Sequence, residues 1–68
     1  MGHWFDNERA AKKAAKAGRF SSYFRIEIKR KENGYTQTEV WYFVDIFLPA
    51  NIKSRIKSGS AVVKEILL

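Results

Sequence analysis

Sixty-eight residues without a cysteine bound this chain to one small domain with a modest core, and they exclude both a disulfide framework and a thiolate metal site. An aromatic content of 15% excludes a disordered, low-complexity segment. The net charge of +6 makes an acidic polymer or surface the expected partner class; residues 1–19 and 49–68 carry +3 each, while residues 20–48 balance to zero.

The stretch "FDNERAAKKAAKAG" predicts a basic amphipathic helix within residues 1–19. Asp6 is its expected N-cap, Phe5 is placed to staple onto Ala10, Glu8 lies in the first turn and Gly18 is the stop. Its candidate buried stripe is alanine (Ala11, Ala14, Ala15) with Trp4 and Phe5 ahead of it, so the helix can approach another surface closely while burying little itself. Lys12 and Lys16 lie on the opposite face, either solvated or open to an anionic ligand. Residues 20–31 and 35–48 read as strands rich in Phe, Tyr, Ile and Val, joined at Asn33-Gly34, the strongest short-range hairpin signal. "LPANIKSRIKSG" predicts a short helix, with Pro49 at its start, Ile52 and Ile56 on one face and Gly59 past its end. In "SAVVKEILL" the β-branched pair Val62-Val63 favours a third strand over more helix. The expected fold is α+β in the order α-β-β-α-β: an N-terminal helix, then a small, mostly antiparallel sheet with one short helix in residues 20–68.

The hairpin register decides which aromatic side chains are exposed, because a slip of one residue exchanges the two faces. A two-residue type I′ turn puts Phe24 opposite Phe43 and Ile26 opposite Trp41, and leaves Val40, Tyr42, Val44 and Ile46 opposite charges unless the helix covers them. A three-residue turn with Gly34 left-handed and a bulge instead pairs Phe24 with Tyr42 and Ile26 with Val40 as a core. It turns Tyr23, Phe43, Arg25, Trp41 and Lys29 outward, followed by Phe47. The bulged register is favoured because it segregates the charges of the first strand to one face, at the cost of Glu27 opposite Glu39.

From "FRIEI" through the polar hairpin "KRKENGYTQ", the strand "TEVWYFVDIF" with Trp41 and Phe47 six apart, the helix "ANIKSRI", the corner "KSGS" and "AVVKEIL", the segment 24–67 resembles the bacterial single-stranded DNA-binding protein family, an OB-fold. Val40 is an addition between Glu39 and Trp41, the helix is shorter, and the first and last strands of a five-stranded barrel are replaced by the N-terminal helix. The resemblance implies a partial OB-like barrel and implies that Trp41 and Phe47 stack on bases. A truncated barrel would expose strand edges, so closure by the helix or a second copy is expected, and with it a homo-oligomer.

Catalysis finds no support, since no nucleophile, base and orienting group come together, His3 stands alone, and the glycines form no phosphate-cradling loop. No cofactor or metal is expected. No apolar run reaches membrane-spanning length, and Asp6 occupies the Ser/Thr position of the myristoylation pattern, so a cytoplasmic protein is expected. The expected function is binding of single-stranded nucleic acid, with Trp41, Phe43, Phe47 and Tyr23 stacking, and Arg25, Lys29, Lys12, Lys16, Lys53 and Lys57 meeting phosphates. The competing expectation is a phage- or plasmid-type inhibitor or adaptor that docks on a larger protein through its aromatic face or N-terminal helix.

Overall fold

In the computed structural model, which describes residues 2–68, Asn33 and Gly34 take φ of 49° and 82°. Positive φ at both central positions is the type I′ turn, whose twist suits a tight hairpin. The turn joins β2 (Ser22–Glu32) to β3 (Tyr35–Val44) with Glu32 opposite Tyr35, Ile26 opposite Trp41 and Phe24 opposite Phe43. The hairpin therefore takes the two-residue register, and the favoured bulged pairing is corrected.

The physical reason is that both faces of the sheet are covered. On one face Phe24, Ile26, Ile28 and Phe43 bury against Ile52 of helix α2 (Ala50–Ser58), with Trp41, Leu48 and Val63 packed around them. On the other, Tyr23 and Val44 bury against Ala11 and Ala15 of helix α1 (Glu8–Ala17), flanked by Phe5, Ala14, Phe20, Tyr42 and Ile66. The alanine stripe lets α1 settle close enough to cover Val44 and Tyr42, which the two-residue register sets on that face, while Ile46 stays exposed. Arg25 and Glu27, on the same face, stay half-exposed and pair with each other.

Two further strands complete the sheet. His3–Phe5 forms β1, which pairs with the end of β3, and Ala61–Leu67 forms β4, which pairs with β2. The element order is thus β-α-β-β-α-β, with a leading strand where only the start of a helix was expected. The strand order is β1-β3-β2-β4 and every neighbouring pair is antiparallel. It follows that β1 runs parallel to β2 across β3, and β3 parallel to β4 across β2. The two helical crossovers step the same way across the sheet from oppositely directed strands. Given one common hand, as such crossovers have, they must place their helices on opposite faces, as the two cores do. The sheet is open, with β1 and β4 as its edges.

Local chemistry sets the helix ends. β1 runs to Phe5, so α1 begins one residue later than expected: Asn7, not Asp6, is the N-cap, and its Oδ1 accepts from the amides of Arg9 and Ala10 at 2.8 and 3.3 Å. Both helices close by the same 6→1 and 5→2 bonding. In α2 the amide of Ser60 donates to Arg55 O and that of Gly59 to Ile56 O, with Gly59 left-handed at φ 81°. In α1 Phe20 donates to Ala15 O and Arg19 to Lys16 O, and the left-handed residue is Arg19, at φ 60°.

Past the Ile28–Ala61 pair the hairpin leaves the body. Residues 29–38 are all exposed and continue as a two-stranded ribbon reaching about 15 Å to the turn, which accounts for the long axis of a molecule measuring 41 × 21 × 19 Å. Among the described residues no helix is long and apolar enough to cross a membrane.

Candidate nucleic-acid interface

At the root of the ribbon, on the α2 side of the sheet, four elements leave a cleft of about 320 Å³. β3 contributes Trp41 and Glu39, β2 contributes Ile28 and Arg30, β1 contributes Trp4, and α2 contributes Asn51, Ile52 and Arg55. The strand pairings explain the convergence. Ile26 opposite Trp41 sets Ile28 and Arg30 along the same face as Trp41 and Glu39, and Trp4 opposite Phe43 brings the second indole one step down that face.

The floor of the cleft is apolar and its rim is cationic. Ile28 and Ile52 belong to the core. Trp4 is 42% exposed and leans on the Phe43 ring, with centroids 4.7 Å apart and planes inclined by 49°. Gly2 lies against the same Phe43 ring so closely that a Cβ there would overlap it, so only glycine lets the chain enter β1 along this path. Glu39 Oε2 accepts from Trp41 Nε1 at 3.3 Å and lies 3.5 Å from Arg30 Nη2. One carboxylate therefore fixes the edge of the indole and the reach of a guanidinium while leaving the indole face unbonded. Arg55 enters no ion pair among the described residues, so its charge faces the cleft uncompensated.

The structure redistributes the residues expected to bind. Trp41 lines the cleft. Phe43, 4% exposed, is core, and so is Tyr23, 2% exposed, on the opposite face, where its hydroxyl donates to Glu8 Oε2 at 3.1 Å. Burial raises the Tyr23 phenol above its ordinary pKa, and the Glu8 carboxylate raises it further. Neither ring offers a face to a ligand, which corrects their reading as stacking residues. Both were turned outward by the bulged register; in the two-residue register each falls under a helix.

Phe47 is 73% exposed but lies in the β3–α2 connection, at the end of the sheet away from the ribbon, beside Ile46 at 69%. Arg25 and Lys29 share the α1 face of β2, and hydrogen bonding to Glu27 raises the Arg25 pKa further. Lys12 and Lys16 form, with Arg9 and Lys13, an exposed cationic stripe on α1. Lys53 and Lys57 sit on α2, but at about 100° per residue they point away from the side that carries Asn51 and Arg55. The lysines of the two helices thus lie on opposite sides of the sheet and do not form one surface.

Four cleft residues with a part in binding escaped the sequence reading: Trp4, Arg30, Asn51 and Arg55. A signal existed for the first, since "HWF" is an aromatic run directly ahead of a helix cap. Arg30 and Arg55 carry no local signal, because only the crossover brings their elements together. Comparison of the chain with protein-family models, with curated proteins and with solved structures finds no match.

Proposed function

We propose that this protein is a small nucleic-acid-binding module that takes single strands in the Trp4–Trp41 cleft. The observation that carries the reading is the pairing of two indoles, the exposed Trp4 and the half-buried Trp41, with Arg30 and Arg55 around one opening. Indole faces stack on any base, at about 1–3 kcal/mol per base, and guanidinium groups bind phosphate bidentately. Asn51 adds an amide beside the indoles that can meet a base edge, while the cationic groups that line the cleft itself are Arg30 and Arg55. The resemblance to bacterial single-stranded DNA-binding proteins points to the same ligand class. Here Trp4 would take the part that the resemblance gives Phe47. An OB-like barrel would further require the edges β1 and β4 to be joined, by a second copy for instance.

The test is fluorescence anisotropy of a labelled mixed-sequence single strand against wild type, Trp41→Phe, Trp4→Ala and the double variant Arg30→Ala/Arg55→Ala, over a salt series. The account expects binding whose logarithm falls linearly with log salt, with the slope reduced by about 0.7 for each arginine lost. Trp4→Ala should weaken binding by about 1–3 kcal/mol. Equal affinity in all four proteins would remove the cleft from the reading.

A second reading has its own observation. Ile46, Phe47 and Leu67, 69%, 73% and 76% exposed, gather at the end of the sheet opposite the ribbon. Such an apolar end is the mark of a protein-docking surface, and a module of that kind would bind its partner with little dependence on salt.

A further inference from the structure

We infer that β4 is a self-association edge, through which two copies of this chain join their sheets antiparallel about a two-fold axis at Val63. This goes beyond nucleic-acid binding and does not depend on it. The amide of Leu68 donates to Ser21 O and Ser60 O accepts from Lys29, so the even-numbered positions of β4 bond inward to β2. By the alternation of an antiparallel ladder, the amides and carbonyls of Ala61, Val63, Glu65 and Leu67 face outward with no strand beside them. The other edge, β1, has three residues, whereas β4 has seven and no proline. Val62, Leu67 and Leu68 expose 51%, 76% and 43% of their surface along or just past it. A long, unpaired edge of this kind, apolar but for Lys64 and Glu65, is a template for another strand.

Charge and the number of outward groups bonded together select the register. In an antiparallel pair, directly opposed residues share a face, so a two-fold axis must pass through a residue rather than between two. An axis at Lys64 would set Lys64 against itself, and one at Glu65 would do the same with the carboxylates; both are unfavourable. An axis at Val63 sets Val63 against Val63, Ala61 against Glu65 and Val62 against Lys64, with no like charges opposed and all the outward groups of Ala61, Val63 and Glu65 bonded. Because opposed residues share a face, the α2 helices of both copies lie on one side of an eight-stranded sheet. The two Trp4–Trp41 clefts then open in the same direction, and one strand could engage both.

The chain has no cysteine, so single-cysteine variants report the register cleanly. Across a hydrogen-bonded pair the Cα atoms stand about 5.5 Å apart, within reach of a disulfide. Val63→Cys should oxidise to a disulfide-linked dimer with an unchanged far-UV spectrum. Tyr35→Cys at the ribbon tip and Lys64→Cys should oxidise on the order of ten-fold more slowly, since their sulfurs start outside that range. Sedimentation of the unsubstituted protein, 7.9 kDa as a monomer, reads the association without any change to β4 and should give twice that mass at high concentration. A monomer at every concentration would overturn the proposal, and so would equal oxidation rates for the three variants.

Discussion

Arg19 and Gly18 have exchanged the parts that a helix end usually gives them. The left-handed position of the α1 closure falls on Arg19, where a side chain costs roughly 1–2 kcal/mol. The glycine stands one residue earlier, at an ordinary φ of −81°, because a Cβ there would come within 2.7 Å of the Phe20 ring. Arg19→Gly should therefore raise stability by about 1 kcal/mol in urea denaturation, while Gly18→Ala, a change that helix propensity alone would favour, should lower it. The opposite pair of signs would contradict this account of the closure. Tyr23 gives a pH dependence with a fixed sign. Its folded pKa is raised above 10, first by burial and then by Glu8, so the folded state holds the proton more tightly than the unfolded chain. The associated stability is complete below about pH 10 and is lost as pH rises through the folded pKa. Thermal melts should fall in midpoint above pH 10, and Tyr23→Phe should flatten that decline.

Among the elements, those with local punctuation were readable from the residues: α1 from its alanine stripe and Gly18, although its cap is Asn7 and not Asp6, α2 from Pro49 and Gly59, and the hairpin turn from Asn33-Gly34. What local pattern could not supply was set by tertiary partners. The three residues of β1 are too few to show alternation, and they become a strand only because β3 offers an edge beside Tyr42–Val44. The register turned on whether the second face of the sheet was covered, a question about where α1 packs rather than about β2 or β3. The same dependence explains the cleft, where Trp41 was foreseen on its own strand but Arg30 joins it only in the two-residue register, and Trp4 and Arg55 meet it only through the two crossovers. α1 and β1 are accordingly structural parts. Deleting residues 2–19 removes the cover of Tyr23 and Val44, the strand beside β3 and the Gly2 lid on Phe43. The truncated chain should aggregate or bind a hydrophobic dye, and a folded, soluble product with the native hairpin contacts would contradict the two-core description.

At the scale of the whole molecule, the sheet separates two positively charged regions. The stripe of Arg9, Lys12, Lys13 and Lys16 lies on the α1 side, while Arg30 and Arg55 frame the cleft on the α2 side. The apolar end of Ile46, Phe47 and Leu67 is a third surface, distant from the ribbon. A nucleic-acid strand, a phosphate-rich polymer held only by net charge and a protein partner would each choose a different one of these. The chain holds two tryptophans, so two indole N–H resonances report on the cleft alone. The decisive measurement is a two-dimensional ¹H–¹⁵N spectrum recorded through a titration with a mixed-sequence single strand at moderate salt. Both indole resonances and the amides of Arg30, Asn51 and Arg55 should shift, with the α1 stripe and the Ile46–Phe47 end unmoved. Shifts confined to α1, with both indoles stationary, would contradict this reading.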